Sequence, residues 1–333
     1  MVTQKEIARQ AGISVSTVSR ILRGEWEKYA SADLRDAVWK TAKELGYQPN
    51  ATARSLRLHG GGQQERQLRL MTLLARPAAG EGDEFFGELV RGVDEELLRQ
   101  GLPVLPTGTV RQQLLQNAGS KVDGVLLLGR CSPEAMRQLR TRLGAVPMIG
   151  VGLNPAGHGE QDQVFCNGRN LAETAVQYLL TQGHTSIAYI GECSAESRYA
   201  GYYDTLTANG IPCKRDVVVE AVQTEAGGAA AANLLLVRNT DATAIFCAND
   251  NVAVGVIRTL TKAGISIPLQ MGIISIDDIQ SAQRCTPRLT TIHIPKEEMG
   301  RMAVKLLLDR LSGGHNEPLR LELPTRLVRR ESC

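Results

Sequence analysis

The chain has 333 residues, 43% of them apolar, with 38 Lys and Arg against 35 Asp and Glu for a formal charge of +3. That length exceeds what one hydrophobic core usually serves, so two or three domains are expected, and no run of 18 apolar residues offers a membrane span. Seven cysteines, odd in number and with no CxxC pair, argue against a disulfide framework or a zinc site, and an N-terminus without an apolar leader argues against secretion, so a reducing cytoplasm is expected.

The charge is unevenly placed. Residues 1–60 carry ten Lys and Arg against six Asp and Glu, a net +4, and the remaining 28 and 29 give −1. A basic head on a near-neutral body directs any nucleic-acid contact to the head. From Thr3 to Leu22 two short helical patterns meet at a tight turn. Ile7, Ala8 and Ala11 share one face of the first. Gly12 follows, where a helix closes at positive φ without a Cβ penalty. Ser14 can N-cap a second helix that buries Val18 and Ile21 or Leu22. Val15, Ser16, Thr17, Ser19 and Arg20 then face outward, with no carboxylate among them. Such a face suits the DNA major groove, where hydroxyls hold phosphates and Arg reads guanine O6 and N7. The same pattern also suits any small capped helical hairpin.

After a loop from Arg23 to Ser31, a third helix is expected from Ala32 to Leu45, closing the small core with Leu34, Val38, Trp39 and Ala42. Pro49 biases Gln48 away from helix. Asn50 can cap a helix from Ala51 to Leu56, too short to be stable alone. On its residues this segment reads as a frayed linker with an incidental Leu. His59-Gly60-Gly61-Gly62-Gln63-Gln64 is flexible by composition and marks the clearest domain boundary. The expected domains are a head at 1–48, a hinge and linker at 49–67, and a body at 68–333.

The wording "KEIARQAGISVSTVSRIL" followed by "YQPNATARSL" (Tyr47 to Leu56) resembles the LacI/GalR family of bacterial transcription regulators. The resemblance implies that Val15, Ser16, Thr17, Ser19 and Arg20 contact double-stranded operator DNA. It also implies that the segment at Asn50 orders on a palindromic operator, with Ala53 at the close helix contact across a homodimer and Leu56 wedged between base pairs. Members usually carry Asn where Arg23 stands and Thr where Leu34 stands. The loop between the second and third helices is about two residues longer than usual, so the backbone contacts here differ from the family pattern.

From Leu68 onward short apolar runs alternate with helical patterns, the signature of parallel sheets covered by helices. Strands are expected at Leu70–Leu74, Gly124–Leu128, Met148–Val151, Ile187–Gly191, Ala244–Ala248 and Gly272–Ile276. Helices are expected at Glu84–Gln100, Leu171–Gln182, Arg198–Asn209, Asn251–Gly264 and Lys296–Leu311. The count suits a two-lobed, periplasmic-binding-protein-like α/β body. Lobe 1 would hold about 68–160 plus 293–317, and lobe 2 about 161–292 plus 318–333, with a ligand cleft at the strand carboxyl ends. The phrases "FFGELVRGVDEEL", "VDGVLLL", "LLTQGHTSIAYIG", "CANDNVAVGVIRTL" and "IISIDDIQSAQRCTPRLTTI" each resemble landmarks of the family in order. Between Gly101 and Val122 the chain is about 20 residues shorter than most members, so one helix of lobe 1 should be reduced. That shortening and the ISxxDI wording resemble the evolved β-galactosidase operon repressor branch. No leucine heptad follows Val328, so a dimer is expected rather than a tetramer.

Asn249, Asp250, Asp277 and Asp278 fall just past two expected strands, and Arg198 opens a helix after another. Carboxylates and planar guanidinium donors there suit sugar hydroxyls. The resemblance assigns effector contacts to Arg198, Asn249 and Asp277; Asp250 and Asp278 equally suit helix N-caps. Val222 stands where some sugar-binding members stack an aromatic ring. The five histidines are dispersed, and His184 reads as structural. There is no phosphate loop, GxSxG, HExxH or GxGxxG after the first strand, so no cofactor or metal is expected. The expected function is therefore an operator-binding repressor of a carbohydrate-utilisation operon, controlled by a small saccharide. A sugar-acting enzyme, or a ligand-binding module on the same scaffold, is the alternative.

Overall fold

The computed structural model describes residues 2–22, 30–45, 47, 68–75, 83–115, 121–153 and 161–333. The loop after Leu22 and the hinge and linker, with Asn50, Ala53 and Leu56, lie outside these residues.

Among the described residues the head holds three helices, α1 (Gln4–Ala11), α2 (Val15–Leu22) and α3 (Ala32–Glu44). Each begins where a side chain satisfies free N–H groups. The Glu6 carboxylate accepts from the Thr3 N–H at 2.8 Å, Ser14 Oγ from the Thr17 N–H at 3.0 Å, and Ser31 Oγ from the Leu34 N–H at 3.2 Å. Gly12, at φ 66°, closes α1 in the left-handed region and turns the chain into α2. The expected apolar positions Ile7, Ala8, Val18, Ile21, Val38, Trp39 and Ala42 are buried together with Tyr47, whereas Leu34 is only half-buried.

Among the described residues the body is two six-stranded sheets. The first contains β1 (Leu70–Leu74), β2 (Gly108–Thr109), β3 (Gly124–Leu128), β4 (Met148–Gly152) and β5 (Asp162–Phe165), in the order β5-β4-β3-β1-β2. The late strand β11 (Arg320–Glu322) pairs in parallel with β5 at its edge. The second contains β6 (Ile187–Gly191), β7 (Val218–Glu220), β8 (Ala244–Cys247), β9 (Gly272–Asp277) and β10 (Thr290–His293), in the order β10-β9-β8-β6-β7. It is closed by β12 (Arg326–Val328), antiparallel to β10. Helices α4 (Glu84–Arg99), α5 (Val110–Leu115), α6 (Pro133–Leu143) and α12 (Lys296–Leu311) belong to the first lobe. Helices α7 (Gly168–Thr181), α8 (Ser197–Ala208), α9 (Glu225–Arg238), α10 (Asp250–Lys262) and α11 (Gln280–Arg284) belong to the second. The central strands are buried on both faces, which is why they read as unbroken apolar runs such as GVLLL. No helix of the described residues is long and apolar enough to cross a membrane.

Two expected lobe borders move. Asp162–Phe165 hydrogen-bonds to β4, and Arg320–Glu322 extends that same sheet, so the chain crosses between lobes after Phe165 and after Glu322 rather than near 160 and 317. The shortened stretch of lobe 1 leaves α5 at six residues.

The head rests on lobe 1. Leu98 and Val104 join the head's apolar cluster, and Arg35, only 6% exposed, donates to both oxygens of Glu297 at 3.2 and 3.0 Å. Arg91 reaches Asp36 and Lys43 reaches Asp94, each at 2.7 Å. This seat is possible because α4 and α12 cross closely at two glycines. A Cβ on Gly92 would lie 2.1 Å from the Glu297 carbonyl oxygen, and one on Gly300 would lie 2.3 Å from that of Leu89. Gly300→Ala should therefore force the two backbones apart and destabilise the fold by about 1–3 kcal/mol. Urea unfolding followed by circular dichroism checks this, and an unchanged midpoint would contradict it.

Candidate functional site

The exposed face of α2 begins with Val15, 44% exposed, and Ser16; Thr17, Ser19 and Arg20 are half-buried beside it. Ser14 Oγ lies 2.8 Å from both Ser16 Oγ and Thr17 Oγ1, so the start of α2 is ringed with hydroxyls. The five head residues expected to meet DNA thus sit on one short helix, around a surface without a carboxylate.

Between the lobes lies a cavity of about 370 Å³. Lobe 1 supplies Asp83, the Phe85–Phe86 pair, Gly129, Arg130, Gly152 and Leu153. Lobe 2 supplies Glu192, Arg198, Val222, Gln223, Thr224, Asn249, Asn251 and Asp277. Most of these follow the carboxyl ends of parallel strands, where loops diverge and leave a crevice. The two phenyl rings meet edge to face at 5.3 Å, an apolar wall at the start of α4.

Arg198, Asn249 and Asp277, distant in sequence, are brought together on this wall. Arg198 is fully buried and already engaged. Its Nε and one Nη donate to the two Glu196 oxygens at 2.8 and 3.0 Å, and the other Nη donates to the Ala248 carbonyl at 2.7 Å. Burial works against its charge, but Glu196 alongside outweighs burial and holds the guanidinium protonated above its ordinary range. Asn249 caps α10, its Oδ1 accepting from the Val252 N–H at 2.9 Å, while its Nδ2 reaches the Gln223 carbonyl at 3.5 Å.

Asp277 differs from both. It is 4% exposed, and its Oδ1 has no hydrogen-bond partner. Burial, reinforced by the nearby Asp250 charge, pushes its carboxyl well above the ordinary value; Arg198 and Lys296 act in the opposite direction. Its φ of 131°, followed by 54° at Asp278, puts two consecutive non-glycine residues in a region they rarely adopt.

The other two candidate carboxylates have settled partners. Asp250 is fully buried and accepts from Ser275 Oγ, from Thr291 Oγ1 at 2.7 Å and from the Ile279 N–H at 2.9 Å. It ties α10 to strands β9 and β10. Asp278 is bonded to His293 at 2.9 Å and to Arg330. Neither lines the cavity, and Asn249, not Asp250, is the N-cap of α10.

Sequence reasoning missed the contacts that cross the cleft. Arg130, just past β3, donates to Glu192 Oε2 at 2.9 Å and to the Ser194 and Ala195 carbonyls. The Glu84 carboxylate accepts from the Ser281 N–H at 2.9 Å and from its hydroxyl. Partners more than 60 residues apart leave no local pattern. The phrase "FFGEL" could have marked the aromatic wall, since two phenylalanines open an otherwise amphipathic helix just past a strand.

Residues 3–50 match the family model of bacterial regulatory proteins of the lacI family, and residues 176–333 match a periplasmic binding protein-like domain. The ribose operon repressor of Escherichia coli (strain K12) is 32% identical to the chain over 343 aligned positions, covering 100% of both proteins. The HTH-type transcriptional repressor PurR of Erwinia tasmaniensis is 29% identical and covers 100% of this chain and 97% of its own length. Among solved structures, the transcriptional regulator CelR in complex with cellobiose superposes with a TM-score of 0.73 at 29% identity, covering 100% of both chains. A LacI family regulator from Enterococcus faecium with bound ribose gives 0.70 at 27% identity over 79% of this chain and 98% of that one.

The raised carboxyls carry a stability consequence. A folded state that holds the protons of Asp277 and of Asp250, the latter raised to about 6, keeps them at pH values where the unfolded chain has released them. Folding stability contributed by these groups therefore falls as pH rises from the ordinary carboxylate range through the raised one. Asp277→Asn keeps the shape and removes the charge, so it should flatten this slope and raise the melting temperature at about pH 8 more than at about pH 4. Scanning calorimetry at the two pH values is the measurement. A variant that melts earlier at the higher pH would show that the carboxylate stabilises the fold.

Proposed function

The chain belongs to the LacI family of bacterial regulatory proteins, and from that premise we propose that it represses a carbohydrate-utilisation operon, holding a palindromic operator until a small saccharide enters the cleft. It is a DNA-binding transcriptional regulator that works as a homodimer, each head meeting one half-site. The observation that carries the effector half of this reading is the orphan Asp277 oxygen on the wall of the interlobe cavity. A buried acceptor without a partner is costly unless a ligand hydroxyl completes it. The cellobiose of CelR and the ribose of the E. faecium regulator support a saccharide as that ligand. The relatives are repressors, and the cleft is proposed to bind its ligand without turning it over, in the cytoplasm where the operator is.

On the head, Arg20 takes a guanine, Val15 packs on a thymine methyl, and Ser16 reaches a base edge. Thr17 and Ser19 hold phosphates and add affinity without sequence preference. Asn50, Ala53 and Leu56 would order as the hinge on the operator, with Leu56 as the wedge. In the cleft, Asp277 and Asn249 take ligand hydroxyls, while Arg198, held by Glu196, frames them.

Two tests follow from these roles. Arg20→Ala should lose roughly 1–3 kcal/mol of discrimination between operator and random DNA. Competition binding of both DNAs measures it, and an equal loss on both would reassign Arg20 to the backbone. Asp277→Asn should bind operator as the parent does but need at least roughly tenfold more effector for release. Operator titration against a sugar panel gives the comparison; release at the parent's effector concentration would remove Asp277 from the ligand site.

A further inference from the structure

The charges that line the cleft point to a narrower class of effector. Among the described residues, two guanidinium groups line the cavity, and each is bound to a carboxylate. Arg198 is locked by both oxygens of Glu196, and Arg130 reaches across the cleft to Glu192 at 2.9 Å. The remaining ionisable lining groups are Asp83 and Asp277. Asp83 is also engaged as the N-cap of α4, its Oδ1 accepting from the Phe86 N–H at 3.3 Å. No described lining cation is left without a carboxylate partner. An anion entering this space meets two cations already neutralised and two further carboxyls.

The Arg130–Glu192 pair decides the matter because of where it sits. Arg130 follows β3 in lobe 1 and Glu192 follows β6 in lobe 2, so the pair spans the cleft with both side chains about a quarter exposed. A phosphate at the Arg130 guanidinium would have to share it with Glu192 or displace it. Either way the Glu192 carboxylate would stay within a few ångströms of the phosphate, where like charges repel.

We infer that Glu192, by occupying Arg130 across the cleft, makes this site refuse phosphorylated and other anionic effectors and accept an uncharged polyhydroxyl compound. This rests on the cleft being the effector site. It goes further by assigning the effector's charge and by naming the residue that sets it. An uncharged sugar needs only donors and acceptors, which Asn249, Gln223, Thr224 and the orphan Asp277 oxygen offer. It leaves the Arg130–Glu192 bridge closed over it.

The test uses inorganic phosphate as the probe, with sodium chloride at matched ionic strength as the control, because phosphate does not require knowing the effector. Thermal melting of the full chain is recorded with increasing phosphate for the wild type and for Arg130→Gln, Glu192→Gln and the double variant. The wild type and Arg130→Gln should respond alike, since any phosphate held by the basic head is common to both. Glu192→Gln should gain a response with an apparent affinity at least roughly tenfold tighter, set by the guanidinium it releases. The double variant should return to the wild-type level. Three results would overturn the inference: a wild-type response that Arg130→Gln removes, a Glu192→Gln variant no more responsive than wild type, or a gain that survives in the double variant. Melting without phosphate reports whether each variant is folded. Titrations of ribose against ribose 5-phosphate and glucose against glucose 6-phosphate extend the comparison, and a sugar phosphate bound by the wild type more tightly than its parent sugar would also overturn it. Operator binding by the same samples is read by gel shift, so a protein that fails to bind DNA is told apart from one that fails to select by charge.

Discussion

A single buried ammonium ties the parts of this molecule together. Lys296, 1% exposed at the start of α12, donates to the backbone carbonyls of Asp277 at 2.6 Å and Asp278 at 3.2 Å, and lies 3.3 Å from the Glu88 carboxylate. A buried charge of this kind persists only when its donors are satisfied, and here three oxygens satisfy it. In return it holds the two carbonyls of a turn whose successive positive φ values are intrinsically unfavourable. The turn in turn presents the Asp277 carboxyl to the cleft while the Asp278 side chain is drawn away to His293 and Arg330. Strain at the cleft wall is thus sustained by a residue from the other lobe's helix.

The same helix continues to the head. Glu297, the neighbour of Lys296, receives Arg35 of α3 in a two-bonded pair, and its backbone packs on Gly92 of α4. Helix α4 starts with two cavity-lining phenylalanines and ends with Leu98 inside the head's apolar cluster. Cleft wall and head seat are therefore built on the same two crossed helices. Arg35 is the strong member of this contact because it is buried and bidentate, whereas Lys43 reaches Asp94 from a half-exposed position through a single contact. For a ligand to act through such a frame it must favour one arrangement of the lobes over another, since equal binding to both shifts nothing. The bridges Arg130–Glu192 and Glu84–Ser281 form only in an arrangement that brings the lobes this close.

Much of this was readable along the chain. The helix-turn-helix appears in order because its determinants are local: a 3.6-residue apolar period, the Thr3–Glu6 pair at the first helix start, hydroxyl caps at Ser14 and Ser31, and a glycine at the turn. The central strands declare themselves as apolar runs because both their faces are covered. Helix α9 escaped notice since its EAGGAAAANLLLVR sequence is small and apolar nearly all round, with no polar stripe to set the period. Strands β5 and β11 escaped because four and three residues carry too few side chains to set a visible pattern. Asp277 and Asn249 could be singled out as polar residues at strand ends, but the orphan oxygen of one and the capping role of the other could not.

Those distinctions belong to packing. Whether Arg198 is open to a ligand or clasped by Glu196, whether Asp250 or Asn249 caps α10, and which lobe owns Asp162 are all settled by contacts between segments far apart in sequence. Arg35, Arg130, Glu192 and Lys296 look like ordinary surface charges in the linear chain. Only the folded chain makes one a buried clamp, two a bridge and the last a staple, because a side chain's energy depends on its desolvation and on the groups that replace water around it. Local sequence sets backbone period and capping. It does not set which charges lose their water together, and on that this protein's cleft and its head seat depend.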